Sequence, residues 1–529
     1  MRHSKKCAVL ALAAAMLAGG VLPVSAQDQA APVRTLTVDE AVRLAVEQNL
    51  GIQIERINPQ IGDVAVAQAR SYWVPTVSTT LQNNSQNTPS SSFLSGGQAK
   101  ITDTRFTSQF GVSQLLPTGA SYSLAWNSAR STSTNLFTNF DPLLSSNVAF
   151  NITQPLLRGR TIDSYRQQLQ TSRKDREAAD VSLRSTVAVT TRNVKNAYWD
   201  LAYARENLQA VQKSLDLAKR ALADNEKRVQ IGTMAPIDIV EAQSEVARNE
   251  ESVIVAEAAI KQAEDRLRAL ILNPSSPDFW TTSLQPSEPM PFQPVTVDVD
   301  SAIRRAVASR TDVQLAKNSL EKSDINLKYF RSQVLPDISA TVAYQSNAVG
   351  GSQLSPLTSF TGPAGPRSIV AQRGYGTVLG DVFSSAYPTW TFGVTMSYPI
   401  GGSTQDTNLA RAKLQYSQAE AQLKNLEMQI GTQVRDAARQ VVTNAKRVDS
   451  ARAARDLAEQ RLAAEEKKFA AGIQTTFFVF QAQRDLAQAR TNEIKAIADY
   501  NKSVVDFEAI QDTSLSGNVV ITSAAQGTR

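Results

Sequence analysis

Two kinds of hydrophobic spacing alternate along this chain and divide it into helical and extended segments. In residues 161–230 and again in residues 406–470, apolar side chains recur every three or four positions, and helix-breaking residues are almost absent. Each of these segments predicts one uninterrupted helix that would span on the order of 100 Å. A shorter Ala-rich segment, 37–70, predicts a further helix, with Thr37 as its cap and Glu40 three positions later.

The apolar seams of the two long segments have heptad-like spacing, and alanine predominates around both, which allows close contact between helices. Asn225 interrupts the first seam. The seam residues are Leu208, Val211, Leu215, Ala218, Leu222 and Val229 in the first segment and Val448, Ala451, Ala458, Leu462 and Phe469 in the second. The pattern predicts a helical coiled coil, and an ordinary coiled-coil protein is one interpretation of it.

Between the helices the spacing changes to every second residue, which indicates β-strands. In one segment, Trp390, Phe392, Val394, Met396 and Tyr398 alternate with Thr389, Thr391, Gly393, Thr395 and Ser397. The apolar members of similar rows are Phe106, Phe110 and Val112; Tyr122, Leu124 and Trp126; Val148, Phe150 and Ile152; and Ile338, Val342 and Tyr344. We expect the stretches 83–104 and 346–381, rich in Ser, Thr, Asn and Gly, to be loops on the outer side.

The polar positions of these strands bear on the environment of the sheet. A soluble β-sandwich would also alternate, because one face lies in its core and the other in water. Here the polar positions hold small Ser, Thr and Asn rather than Lys and Glu, and aromatic residues lie near the ends of the rows. This favours a transmembrane β-barrel with a water-filled interior, and the predicted fold class is an α+β membrane protein.

One structural unit occurs twice in the chain, which indicates an internal tandem duplication. The matching segments are Ala41-Val42-Arg43 with Ala302-Ile303-Arg304, Val74-Pro75 with Leu335-Pro336, and Gly232 with Gly472. We expect a first repeat over 36–272, with strands at about 76–156, and a second over 298–511, with strands at about 337–400. The segment between them, 273–297, is dense in proline and is predicted to be an extended linker.

The two ends of the chain differ in composition from the rest. Residues 1–26 combine basic residues, an apolar run and the small residues Val24-Ser25-Ala26, so a signal peptide is predicted there, followed by export. Residues 512–529 are small and polar and are predicted to be disordered.

Removal of the predicted signal peptide changes the available chemistry. Cys7 and His3 are the only cysteine and histidine of the sequence, so Cys/His zinc sites, cysteine nucleophiles and Ser-His-Asp triads are excluded from the mature chain. We expect no catalytic residue, no metal site and no cofactor. Loss of Arg2, Lys5 and Lys6 lowers the formal charge from +6 to +3, too little to indicate nucleic acid as a partner.

The ordered set of repeated features resembles the TolC-like outer membrane efflux protein family, from Leu36 to about Ile510. The residues of this resemblance are Pro75 and Pro336 before each first strand, Gln154-Pro155-Leu156-Leu157 and Tyr398-Pro399-Ile400-Gly401 at the last strands, and the glycine turns at 232–238 and 472–478. One feature departs from the family pattern of two strands per half. The sequence Leu115 to Ala120 predicts an additional tight hairpin, which would give six strands per subunit instead of four.

The resemblance implies a homotrimer in the outer membrane, in contact with its lipid. Each subunit would contribute strands to one shared barrel, which long helices would continue as a coiled-coil tunnel into the periplasm. The far end of the tunnel would bind a periplasmic adaptor, also called a membrane fusion protein, and through it an inner-membrane pump of the RND or ABC type. The implied function is the exit channel of a tripartite efflux or type I secretion system.

The resemblance also places candidate functional residues at the helical turns. Gly232, Thr233, Gly472 and Ile473 would form turns that dock the adaptor or surround the tunnel entrance. The resemblance further implies an entrance constriction, for which the candidates are Asp238 and Glu241 and the equivalent Phe478 and Gln481. Because the second half lacks the acidic residues, a full acidic ring is not supported, and a solvated helix face is the alternative for these positions.

Two further classes of function are compatible with parts of the pattern. A structural periplasmic coiled-coil protein could span the envelope without conducting, and a passive uptake porin would account for the strands but not for the long helices. An enzyme is not expected.

Overall fold

The structure is a computed structural model that describes residues 33–90, 99–276, 279–356 and 367–511. The predicted signal peptide and the predicted disordered tail lie outside these residues. The described chain has a mixed helix and strand fold. None of its described helices has both the length and the apolar character needed to cross a membrane.

The helices and strands follow each other in nearly the same order in both halves of the chain. The helices are α1 Val38–Gln48, α2 Leu50–Ser71, α3 Ser164–Gln230, α4 Ile237–Ile271, α5 Val299–Ser309, α6 Thr311–Gln333, α7 Tyr375–Phe383, α8 Thr404–Ala470 and α9 Thr476–Ile510. The strands are β1 Val33–Leu36, β2 Thr76–Pro89, β3 Lys100–Leu115, β4 Ser121–Ser133, β5 Phe140–Pro155, β6 Ser283–Pro286, β7 Asp337–Leu354, β8 Ile369–Arg373 and β9 Pro388–Ser397.

The longest elements are α3 and α8, which contain 67 residues each and are therefore about 100 Å long. Each is followed by a 35-residue helix, α4 or α9, so both halves contain the same helical hairpin. The two long helices predicted from the hydrophobic spacing are confirmed.

The predicted single helix over 37–70 is wrong, because the chain breaks at Asn49 into α1 and α2. The Asn49 side-chain oxygen accepts the Ile52 N–H at 3.2 Å, and its amide donates to the Leu270 carbonyl at 3.0 Å. This residue thus caps α2 and at the same time fixes the break against α4. The predicted cap at Thr37 is confirmed, since Thr37 and Glu40 form a reciprocal capping box.

Six long strands form one antiparallel sheet in the order β2-β3-β4-β5-β7-β9, and the short β8 pairs with the far end of β7. The additional hairpin is confirmed, because β3 and β4 are joined by a turn in which the Leu116 N–H donates to the Ala120 carbonyl at 2.7 Å. The stretches 83–104 and 346–381 are not simply loops. In their described residues, β2 continues to Pro89 and β7 to Leu354.

In the half of this sheet nearest the long helices, the two faces differ in composition across all six strands. Residues opposed in an antiparallel pair project to the same face. One continuous row, defining what we call the apolar face, contains Val77, Val112, Leu124, Phe150, Tyr344 and Trp390. The adjacent row, on what we call the polar face, contains Ser78, Gly111, Ala125, Ala149, Gln345 and Thr389.

Two buried tyrosines hold the extended segments against the helices. Tyr198 of α3 donates its hydroxyl to the Leu36 carbonyl at 3.0 Å, and burial raises the pKa of this hydroxyl. Tyr500 of α9 donates to the Gln293 carbonyl at 2.6 Å and accepts the Val295 N–H at 3.1 Å. The Pro-rich linker is therefore bound to the helices by hydrogen bonds, and its short β6 pairs in parallel with β1.

Candidate functional site at the helical tip

The first long helix ends in a left-handed turn centred on Gly232, whose φ is +78°. The Gly232 N–H donates to the Val229 carbonyl at 3.0 Å, and the Thr233 N–H donates to the Arg228 carbonyl at 2.9 Å. These two bonds define a Schellman motif, which satisfies carbonyls that a helix leaves free at its C-terminus. The chain then reverses and enters α4.

The second long helix ends in the same motif. Gly472 has a φ of +72°; its N–H donates to the Phe469 carbonyl at 3.0 Å, and the Ile473 N–H donates to the Lys468 carbonyl at 3.0 Å. A Cβ atom added at Gly232 or Gly472 would meet no atom within 4 Å. Glycine is therefore required at these turns for its backbone conformation and not for space.

The two turns lie side by side within one subunit. The Arg228 guanidinium lies over the Phe469 ring at 4.8 Å from its centroid, which joins the ends of α3 and α8. The Thr476 hydroxyl donates to the Asp238 carboxylate at 3.2 Å, which joins the first turns of α9 and α4. We refer to this paired end of the two hairpins as the helical tip.

The four predicted constriction residues have different surroundings at the helical tip. Asp238 and Glu241 are half-buried on the first two turns of α4, and Asp238 is held by Thr476. Phe478 is exposed on α9, whereas the Gln481 side-chain oxygen accepts a bond from Arg484 at 3.3 Å. The structure thus brings Asp238 to the second hairpin, and the role of all four residues at an entrance stays a prediction.

An ion pair that the sequence analysis missed connects the two hairpins further from the tip. Glu245 of α4 is only 6% exposed, and its carboxylate pairs with Arg484 of α9 at 3.0 Å and with Arg248 at 3.7 Å. A comparable pair joins α8 and α9, where Glu493 contacts Arg455 at 3.0 Å. An acidic residue within an Ala-rich helical segment was the available signal, but its partner Arg484 is distant in sequence.

The Glu245–Arg484 pair lies at the wall of a cavity of about 320 Å³ between α3, α4 and α9. Its lining mixes small, polar and charged side chains. The lining residues are Ala210, Val211, Ser214, Glu245, Arg248, Asn249, Ser252, Arg484, Ala487, Gln488 and Thr491. In the described part of the chain, no group of three or more His, Cys, Asp or Glu side chains could hold a metal ion.

This chain belongs to the outer membrane efflux protein family, whose family model matches residues 42–271 and 302–510. The two matched segments correspond to the two halves of the chain. The family consists of outer-membrane channel proteins of the TolC-like class that act in efflux, so the resemblance inferred from the sequence is confirmed.

Individual relatives agree with this assignment. The chain is 24% identical over 388 residues to the pyoverdine export outer membrane protein OpmQ of Pseudomonas putida, a match that covers 72% of each chain. Its fold is similar to that of a membrane protein from Pseudomonas aeruginosa, with a TM-score of 0.63, 16% identity and coverage of 90% and 93%. It is also similar to the CmeC outer membrane channel of Campylobacter jejuni, with a TM-score of 0.62, 15% identity and coverage of 90% and 85%.

We predict that Gly232→Ala destabilises the protein by about 1–2 kcal/mol, because alanine must adopt the left-handed conformation at the end of α3. Gly431→Ala is the matched control, since Gly431 lies inside α8 with open space around its Cα. That control should stabilise the helix by up to about 1 kcal/mol. Thermal unfolding in detergent measures both variants, and a shift of the same sign in both would contradict the assignment of the turn.

We predict that Glu245→Gln destabilises the packing of α4 against α9 by about 1–2 kcal/mol, because it weakens a charge-assisted bond to Arg484, itself about one-third exposed. Glu250→Gln is the control on the same helix, since its pair with Lys219 is about half exposed and should contribute less than about 1 kcal/mol. Amide hydrogen exchange of α4 distinguishes them. Equal protection in the two variants would show that the buried pair does not stabilise this contact.

Proposed function

We propose that this chain is the exit channel of a tripartite efflux or type I secretion system and acts as a homotrimer whose sheets close into one outer-membrane β-barrel. The observation that carries this proposal is the sheet with one apolar face and one face of small polar side chains. In a barrel, the apolar face would contact lipid, and the polar face would line a water-filled lumen.

The edges of the sheet support closure by further copies of the chain. On their outer edges, β2 and β9 have no partner among the described strands. Unpaired backbone groups within a bilayer cost several kcal/mol each, so a membrane-spanning sheet must close on itself. Pairing of β9 with β2 of the next subunit would satisfy both edges at once.

An apolar stripe on α2 supports the same assembly. Ile54, Ile57, Ile61 and Val64 follow one another at three- and four-residue spacing, and each is more than half exposed in the single subunit. A stripe of this kind on a helix indicates a surface that packs against another element. We assign it to the contact between neighbouring subunits.

The direction of the helices supports a tunnel on one side of the membrane. Helix α2 leads into the start of β2, and α3 follows the end of β5. In the second half, α6 leads into the start of β7, and α8 follows the end of β9. All described helices except α7 therefore lie beyond the same end of the sheet. The long hairpins would carry the lumen into the periplasm as a coiled-coil tunnel. The helical tip, with Gly232, Thr233, Gly472 and Ile473, would then bind the periplasmic adaptor.

The pump of the inner membrane, of the RND or ABC type, would supply the energy and select most of the cargo. The name of the relative OpmQ gives the first cargo to assay, pyoverdine. Export would be measured in a strain that lacks its own exit channel and expresses this chain with a matching adaptor and pump.

Conductance of the purified protein in planar bilayers tests the proposal directly. The channel function predicts stable conductance steps together with restored export in the complemented strain. A non-conducting periplasmic coiled-coil protein would give neither result. A passive uptake porin would conduct but would leave export unrestored, so either outcome would contradict the proposal.

We predict that replacing both Asp238 and Glu241 with Ala lowers the cation preference of the channel severalfold. Each carboxylate near a passing cation contributes on the order of 1 kcal/mol in water, and an entrance narrowed by these residues would lose that attraction. The matched control replaces Glu250 and Glu251 with Ala. This change removes the same amount of charge from exposed positions further along α4. If both double variants conduct and select like the unaltered protein, these acids do not charge the entrance.

A further inference from the structure

The short helix α7 packs on the apolar face of the sheet. Val378 and Val382 are buried against Leu144 and Val148 of β5 and against Ala348 of β7. These strand residues are an even number of positions from the apolar row in their own strands, so they project to the same side. A helix of nine residues therefore covers part of the surface that the proposed function assigns to lipid.

Hydrogen bonds fix α7 and the residues after it to β4 and β7, the strands on either side of β5. The Tyr375 hydroxyl donates to Ser128 of β4 at 2.6 Å. The Ser346 hydroxyl of β7 donates to the Val382 carbonyl at 2.7 Å. The Tyr344 hydroxyl donates to Ser385 at 2.8 Å, immediately after the helix. The helix therefore lies over the interior of the sheet, away from the edge of β2.

Small residues on the strands make room for α7. Where the helix packs, the apolar face of β7 presents Ser346, Ala348 and Gly350, and Ser146 of β5 lies opposite Ala348. A Cβ atom at Gly350 would lie only 2.5 Å from the Val378 side chain. β7 therefore presents only small side chains at this level, and the buried valines of α7 fill the space above them.

The outward side of α7 consists of small and aromatic residues, since its two buried valines face the sheet, and it carries no unpaired charge. Its only acidic or basic residue, Asp381, pairs with Arg373 at 2.5 Å. Phe383 at its end is 74% exposed, and Tyr387 and Trp390 continue an exposed aromatic row along the chain that leads into β9. Exposed aromatic side chains beside a surface without unpaired charges are typical of the boundary between lipid and water.

We propose that α7 is a membrane-contacting helix whose outward surface, including Phe383, lies in the outer leaflet of the bilayer. The lipid is favoured over a second copy of the chain because α7 covers β4, β5 and β7, whereas a neighbouring subunit would join at β2 and β9. The level of α7 on β7, between Ser346 and the end of the strand, lies in the half remote from the long helices. This inference rests on the proposed barrel.

Spin-label accessibility in bilayers tests the proposal. Cysteine would be placed singly at Phe383, Phe392 and Thr391 in a Cys7→Ser background, which removes the only natural cysteine. Phe392 lies on the apolar face of β9 and Thr391 on its polar face, and Phe383 is exposed, so its replacement should not disturb packing. Each labelled protein would be measured with oxygen, which concentrates in lipid, and with a water-soluble nickel chelate.

We expect the label at 383 to match the one at 392, with high oxygen and low nickel accessibility, and the label at 391 to show the reverse. High nickel accessibility at 383 with lipid-like behaviour at 392 would overturn the role of α7 and leave the barrel intact. Protection of the label at 383 from both probes would mean that protein covers the helix. This result would also overturn the role of α7 as a membrane-contacting helix. Loss of the contrast between 391 and 392 would contradict the proposed function itself.

Discussion

The constraint on which the proposed channel depends is that a sheet in lipid must satisfy every backbone hydrogen-bonding group. The six long strands form backbone hydrogen bonds with their neighbours in the sheet, but the outer edges of β2 and β9 have no partner among the described strands. The composition of the two faces then determines the orientation of any closed assembly. Large apolar side chains would be outside and small polar ones inside, where a lumen needs both water and space.

The helical part extends this arrangement with a different set of interactions. Each long helix packs against the 35-residue helix that follows it, and α9 also packs against α3. The buried ion pair Glu245–Arg484 joins one hairpin to the other. Breaking one partner of such a pair is costly because the other charge remains partly desolvated. Both long helices end in the same Schellman turn, yet the residues that follow the two turns differ. At the helical tip, the duplication therefore repeats the backbone conformation but not the side chains.

The elements that the sequence predicted well are those set by local patterns. Long helices without breakers, alternating strands and the Thr37 capping box depend on neighbouring residues alone. The break at Asn49 was missed because its cap is completed by the carbonyl of Leu270, which is remote in sequence. The far part of β2 has the composition of a loop, since Asn83 and the residues after it are polar on both faces, yet β3 pairs with them. Helix α7 was also missed, since two glycines interrupt its nine residues and only the sheet beneath it supports it.

The proposed channel requires a closed assembly of three copies of this chain. The most direct measurement is the mass of the detergent-solubilised mature protein by native mass spectrometry. We expect a single species of three chains that is stable until the sheet unfolds. A protein that stays monomeric, and above all one that stays soluble without detergent, would contradict it.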